Sequence, residues 1–90
     1  MKRTLYFVTR NDLHPGRRAA QLIHAMDEWA ARHGPHQGTV IVYAVRDELA
    51  LRKWWSRLGE DGALFCEPDL NHAATAFATA QGPLPLSLLH

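Results

Sequence analysis

The sequence predicts one α/β domain over residues 1–90, in which helices cover both faces of a four-stranded mixed sheet to give a three-layer α/β/α sandwich. Two observations predict this fold. Short apolar runs of strand type alternate with helical apolar patterns in the order β-α-β-α-β-β, and glycine or proline separates the runs. A length of 90 residues, with 47% hydrophobic and 21% charged residues, is typical of a single globular domain.

The first half of the chain predicts a strand, a helix and a second strand. The mostly apolar run at 5–8 does not alternate, which indicates a central strand covered on both faces. A helix is predicted over 16–33, because Gly34 and Pro35 stop it. Residues of β-branched type dominate 39–45, which predicts the second strand.

The next element is a second helix, which Asp47 is predicted to cap and which ends before Gly59. Its apolar stripe consists of residues at offsets of three, four and seven, namely Leu51, Trp54, Trp55 and Leu58. Because the two tryptophans lie on this stripe, we expect them in the core or in a dimer interface, in preference to a base-stacking platform.

Two strands and a terminal turn are predicted for the remainder. The run at 63–66 is a strand that Pro68 ends. In 73–80 alanine alternates with Thr75, Phe77 and Thr79. This alternation predicts a fourth strand with one all-alanine face and one Thr/Phe/Thr face. A short turn is predicted at 86–89.

Charge and cysteine content exclude several classes of protein. A formal net charge of +1 creates no overall field that captures a polyanion, so a nucleic acid would need a local cluster such as Arg10, Arg17 and Arg18. The single cysteine, Cys66, excludes an internal disulfide and fits the cytoplasm. We expect no signal peptide and no membrane span. The histidines lack metal-ligand spacing, which argues against a metal site. No cofactor is expected.

Polar side chains cluster at the first helix and at strand ends, where ligands bind in open α/β sheets. On the helix, Arg17, Gln21 and His24 fall at offsets of four and seven and therefore share one face. The helix's predicted apolar stripe contains Ala19, Leu22, Ile23 and Met26. The strand ends add Arg10, Asn11, Asp12, Glu67, Asp69 and Thr75.

Structural roles stay open for several of these residues. An aspartate before a helix, such as Asp12, is typical of a turn or a cap. Gln21 and His24 are equally consistent with polar groups at the edge of the core that bond to backbone carbonyls. No Walker loop, dinucleotide-binding loop, zinc-protease motif or nucleophile elbow is present in the sequence.

Residues 10–25 resemble the signature of the peptidyl-tRNA hydrolase type 2 family. The chain reads RNDL at 10–13 and GRRAAQLIHA at 16–25, where the family has Arg-x-Asp-Leu and then Gly-Lys-x-Ala-Ala-Gln-x-x-His-Ala. Later segments agree in order, down to an apolar strand that ends in an acid, a strand that carries threonine, and the Gly-Pro pair at 82–83. The resemblance spans nearly the whole chain.

The resemblance implies a small, metal-independent and commonly dimeric α/β/α hydrolase that cleaves the ester between a peptide and tRNA. Arg17 then takes the place of the family's lysine, Glu67 that of its aspartate, and Thr75 that of its threonine, with Thr79 or a lost hydroxyl as alternatives. The predicted catalytic residues are therefore Arg17, Glu67 and Thr75. The predicted substrate-binding residues are Arg10, Asp12, Arg18, Gln21 and His24.

Ester hydrolysis needs a positioned water, a proton acceptor and stabilisation of the tetrahedral oxyanion. Glu67 can orient the water, Thr75 can bridge it to the carbonyl, and the permanently charged Arg17 can bind phosphate or stabilise the oxyanion. The first expectation is thus a cytoplasmic hydrolase, a homodimer acting on tRNA. The second is an inactive relative that binds RNA or a protein through the same face. The third is a homodimeric scaffold organised by Trp54 and Trp55.

Overall fold

The computed structural model describes residues 4–36, 38–58 and 62–81. Within them, four strands and two helices confirm the α/β class and the four-stranded mixed sheet. In chain order the elements are β1 (Leu5–Arg10), α1 (Pro15–His33), β2 (Val40–Val45), α2 (Glu48–Leu58), β3 (Ala63–Glu67) and β4 (Ala73–Thr79), with a 3₁₀ turn at Pro68–Leu70 before β4. The turn predicted at 86–89 and the Gly-Pro pair at 82–83 lie outside the described residues.

The strands lie in the order β2-β1-β4-β3. β1 and β2 are parallel, as strands joined by a crossover helix must be, and α1 forms that crossover. β4 is antiparallel to both β1 and β3. The last two strands therefore form an antiparallel pair around the connection at 68–72, which is too short for a crossover.

β1 is central and buried on both faces, which confirms the expectation from its unbroken apolar run. Leu5 and Phe7 pack with Ala25 and Trp29 of α1. Tyr6 and Val8 point the other way and belong to a second buried cluster that includes residues of α2. The two clusters lie on opposite sides of β1 because successive side chains of a strand alternate between its faces.

β2 is much less buried than β1. It lies at the edge of the sheet, where β1 is its sole strand neighbour among the described residues. The side chains of Val40 and Val42 are therefore 44% and 51% exposed. An apolar run of β-branched residues favours strand structure at an edge as well as at the centre, so the residue types alone do not separate the two positions.

The side chains of α1 and α2 explain how the two helices pack. On α1 the buried residues are Gln21, Ala25 and Trp29, while Ile23 from the predicted apolar stripe is 63% exposed. The face of α1 that is buried is therefore rotated about the helix axis relative to the predicted apolar stripe. On α2 the expectation of core tryptophans holds for Trp55, whose ring packs on Phe77 at a centroid distance of 5.5 Å. Trp54 also packs against this cluster.

β4 contains a bulge that the sequence pattern did not predict. Phe65 pairs with Ala76 and Cys66 with Ala74, so Thr75 is an extra residue between two paired ones. As a result Thr75 faces α1 and bonds to it, whereas Phe77 packs on the α2 side of the sheet. The predicted Thr/Phe/Thr face therefore holds for Phe77 and for Thr79, whose hydroxyl donates to the carbonyl of Leu58 in α2, but it is wrong for Thr75, because the bulge changes the face that Thr75 takes.

The described segments contain no helix whose length and apolar character would allow it to cross a bilayer.

Candidate active site

The carboxyl ends of β1, β2 and β3 meet at one edge of the sheet, because β1 and β2 are parallel and both β1 and β3 oppose β4. α1 begins at this edge and β4 starts there. A cleft of about 600 Å³ opens between α1 and the end of β3. The residues that line it are His14, Gly16, Arg17, Ala20, Gln21, His24, Glu67 and Asp69.

The start of α1 makes one wall of the cleft positive. His14 caps the helix, since its Nδ1 accepts a hydrogen bond from the backbone N–H of Gly16 at 3.1 Å. Pro15 occupies the first helical position, where its missing N–H does no harm. The first turn carries no acidic residue, so the helix dipole and the exposed Arg17 reinforce each other. Sequence reasoning missed His14, because helix caps are normally Ser, Thr, Asp or Asn.

Gln21 forms the buried floor of the cleft, and Thr75 lies directly behind it. Thr75 Oγ donates a hydrogen bond to Gln21 Oε1 at 2.8 Å, and the two residues are 0% and 3% exposed. The same hydroxyl lies 3.4 Å from the carbonyl of Phe65, a weaker alternative acceptor for its single hydrogen. Gln21 Nε2 has no hydrogen-bond partner among the described residues. The Thr75 bond thus fixes the amide so that its N–H₂ group is left for the cleft.

Glu67 forms the opposite wall. It ends β3 and caps the 3₁₀ turn, where its Oε1 accepts a long hydrogen bond of 3.4 Å from the backbone N–H of Asp69. The backbone carbonyl of Glu67 accepts from the N–H of His72 at 2.9 Å, which ties the turn to the strand end. Within the described part of the chain the second carboxylate oxygen accepts no hydrogen bond. A 9% exposed carboxylate that lines a cleft and keeps one oxygen free can accept a proton from a bound water.

Arg10 and Asp12, both predicted to bind substrate, contact each other instead of lining the cleft. Arg10 Nε and Nη2 donate to the two oxygens of Asp12 at 2.9 and 2.8 Å, and Nη1 donates to the carbonyl of Ala74 at 3.0 Å. All three nitrogens of the guanidinium are therefore occupied within the protein. The hydrogen bonds from Arg10 hold the pKa of Asp12 below its ordinary value, and Asp12 raises the pKa of Arg10.

Arg18 and His24 lie on different sides of α1 and line different grooves. Arg18 Nη1 donates to Asn11 at 3.1 Å, and Arg18 lines a different, mostly apolar groove beside β2. Its Nε is buried and has no hydrogen-bond partner in the described residues. His24 lines the cleft and its ring stacks on Phe65 at a centroid distance of 4.6 Å.

The fold thus gathers four of the eight predicted residues at the cleft, with a fifth directly behind: Arg17, Gln21, His24 and Glu67 line it and Thr75 bonds to Gln21. Arg10, Asp12 and Arg18 do not line it. Sequence reasoning also missed Glu48, whose carboxylate accepts a hydrogen bond from the backbone of Ala74, next to Thr75. No local motif marks such a contact, because it joins α2 to a strand that is distant in the sequence.

Acid is expected to weaken these strand-end contacts. The hydrogen bond from the backbone N–H of Ala74, and then Arg52, lower the pKa of Glu48 from its ordinary value of 4.5. Arg10 likewise lowers the pKa of Asp12 from its ordinary value of 3.8. The stability that they contribute is present above those values and is lost as the pH falls through the lowered ones. We expect the urea midpoint of the wild type to fall more between about pH 5 and pH 3 than that of Asp12→Asn. Equal falls would contradict this linkage.

In the described residues, no three His, Cys, Asp or Glu side chains lie close enough together to hold a metal ion. Comparison with models of known protein families finds no match, and a search of curated proteins also finds none. The resemblance to the peptidyl-tRNA hydrolase type 2 family therefore rests on the residues of the chain.

Proposed function

We propose that this protein hydrolyses the ester bond of peptidyl-tRNA, or of another N-blocked aminoacyl-tRNA, without a metal ion. One observation carries the proposal. Arg17, Gln21 and His24, three residues of the family-like motif on α1, line the same cleft as Glu67, which comes from β3. A cation, an amide, an imidazole and a carboxylate around one cleft at the carboxyl edge of a sheet form a suitable site for ester hydrolysis.

Glu67 and Arg17 have opposite tasks in this reaction. The Glu67 carboxylate accepts a proton from a water as the water's oxygen attacks the ester carbonyl, and the proton is then passed to the departing 3′ oxygen of the tRNA. Arg17 remains charged throughout, so it transfers no proton and instead stabilises the negative charge on the carbonyl oxygen. The positive end of α1 adds to that stabilisation.

Gln21 and Thr75 act as a pair. Since Thr75 is fully buried and donates its hydrogen to Gln21 Oε1, it does not reach a water in the cleft. We assign Thr75 the task of holding the Gln21 amide, whose free N–H₂ group then donates to the substrate. This assignment differs from the water-bridging role that the resemblance implied for Thr75.

The layer architecture, the homodimer and the cytoplasmic location that belong to the proposal each have separate support. The two core clusters on opposite sides of β1 support the three-layer α/β/α sandwich. The proposed homodimer would cover apolar surface that is exposed at Ile23, Val40 and Val42, rather than Trp55, which packs on Phe77. A cytoplasmic location agrees with the tRNA substrate and with the free thiol of Cys66.

Release of N-acetylated amino acid from a charged tRNA by purified protein tests the proposal. We expect turnover above the uncatalysed rate, and Arg17→Ala is expected to lower kcat by about 100-fold, the usual effect of losing one oxyanion donor. The matched control is Arg46→Ala, which removes the same charge from a side chain that is 79% exposed and paired with Asp47. No turnover by the wild type, or equal activity of the two variants, would overturn the proposal.

A second candidate is an inactive relative that binds RNA through this cleft. The observation that favours it is the complete burial of Thr75, which takes the hydroxyl out of the cleft. This candidate predicts that the same charged tRNA binds without release of amino acid, and that affinity falls steeply with salt because Arg17 contacts phosphate. Turnover in the assay above excludes it.

A further inference from the structure

Both backbone hydrogen-bonding groups of Ala74 are held by charged side chains from other elements. Its N–H donates to Glu48 Oε2 of α2 at 2.7 Å, and its carbonyl accepts from Arg10 Nη1 of β1 at 3.0 Å. Ala74 itself is fully buried. We call Arg10, Glu48 and Ala74 the strand clamp. Charge-assisted bonds of this kind are shorter and stronger than bonds between neutral groups, so the strand clamp fixes this part of the backbone firmly.

The strand clamp lies directly before the bulge at Thr75. A side chain also holds the backbone of the next residue, since the neutral hydroxyl of Thr9 donates to the carbonyl of Thr75 at 3.0 Å. Side chains thus bond to backbone groups at the position where the bulge disrupts the β3–β4 pairing. Without the bulge, alternation would place Thr75 on the same face as Phe77, away from α1.

The charges of the strand clamp are themselves supported. The two remaining nitrogens of Arg10 donate hydrogen bonds to the carboxylate of Asp12, and Arg52 donates to Glu48 Oε2 at 3.0 Å. The lowered pKa of Glu48 and the raised pKa of Arg10 agree with a clamp that is fully charged at neutral pH. Neither Arg10 nor Glu48 lines the cleft, so any effect on the reaction must pass through the backbone of β4.

We infer that Glu48 and Arg10 are positioning residues for the proposed hydrolysis: by holding both backbone groups of Ala74, they keep the Thr75 hydroxyl on the α1 side, where it orients the Gln21 amide. This inference rests on the proposed function for its catalytic part. It also explains why Arg10 and Asp12 belong to the family-like motif although neither of them lines the cleft.

Variants of Glu48 test the inference. In Glu48→Ala the N–H of Ala74 loses its acceptor, and we expect kcat to fall by about 10-fold to 100-fold at unchanged KM, because small displacements of a positioned group have effects of this size. Glu48→Gln keeps an acceptor oxygen at the same reach and is expected to recover most of the activity. Glu48→Asp, a milder change that shortens the side chain, is expected to fall between them. Lys53→Ala, the control, removes an exposed cation of α2 that makes no hydrogen bond to the strand clamp in the described residues, and it is expected to leave activity unchanged.

Nuclear magnetic resonance tests the orientation of the Gln21 amide separately from its effect on catalysis. The side-chain amide signals of Gln21 should shift, and the backbone N–H of Ala74 should exchange faster, in Glu48→Ala and Glu48→Asp but not in Lys53→Ala. Unchanged signals in Glu48→Ala and Glu48→Asp, or kcat values of these two variants equal to that of Lys53→Ala, would overturn the inference. If the wild type shows no hydrolysis, the proposed function fails and so does the catalytic part. Shifted Gln21 signals would then still support the orienting part.

Discussion

Replacing Glu67 by glutamine is expected to lower kcat for N-blocked aminoacyl-tRNA by about 1,000-fold, within the range that a general base contributes. Glutamine has nearly the same shape and can still accept the N–H of Asp69, so the 3₁₀ turn stays in place. It cannot take a proton from water. Because the lost interaction belongs to the transition state, KM is expected to stay within about twofold of the wild-type value. Steady-state kinetics on a single charged tRNA measure both constants.

The matched control for this prediction is Asp69→Asn. Asp69 is the other carboxylate on the cleft lining, but it is exposed and donates its backbone N–H to Glu67. We expect its loss to change kcat by less than about fivefold, because the buried carboxylate of Glu67, and not this solvated one, accepts the proton from water in the proposed reaction. A large loss in Asp69→Asn together with an active Glu67→Gln would transfer the role of base to Asp69. Full activity in both variants would contradict carboxylate catalysis at this cleft.

The largest expected effect on stability is that of Gly62→Ala, about 3 kcal/mol of unfolding free energy. Gly62 is buried directly before β3, and an added Cβ would collide with the backbone carbonyl oxygen of Ala78 on the adjacent strand. The same Cβ would lie 3.2 Å from the ring of Trp55. The carbonyl of Gly62 also accepts a hydrogen bond from Arg32 at 3.0 Å, so the backbone is held on the α1 side as well. The chain therefore has little freedom to move away.

Urea unfolding followed by circular dichroism measures this loss. Gly16→Ala is the matched control, because its Cβ would meet the ring of His14 at an ordinary distance of 3.5 Å on an exposed first helical turn. Its free energy of unfolding is expected to stay within about 0.5 kcal/mol of the wild-type value. If Gly62→Ala were as stable as Gly16→Ala, the close packing of β3 start, β4 and α2 described above would be wrong.

Much of the secondary structure was predictable because its signals are local. The helix ending before Gly34, the β-branched run that forms β2, and the capped start of α2 after Asp47 all follow from neighbouring residues. Asp47 does cap α2, since its Oδ1 accepts the backbone N–H of Ala50 at 3.0 Å. The edge position of β2 was not predictable in this way, because it depends on which other strands pair with it.

For α1, the sequence predicts which residues share a face, but not the direction in which that face points. The offsets of Arg17, Gln21 and His24 place them on one broad face in the sequence. In the fold that face straddles the boundary between core and cleft, so Gln21 is buried while Arg17 and His24 are exposed. The rotation of a helix about its axis is decided by the sheet on which it packs, and Trp29 and Ala25 set it here.

The sequence by itself determined the α/β class, most of the elements, and the motif residues on α1 and β3 from which the candidate site is built. Only the tertiary structure decided that Thr75 faces Gln21. That outcome depends on a bulge held by Glu48 and Arg10, whose contacts with Ala74 join elements that are far apart in the chain. A local pattern records the alternation of a regular strand. It does not contain the long-range hydrogen bonds that interrupt that alternation.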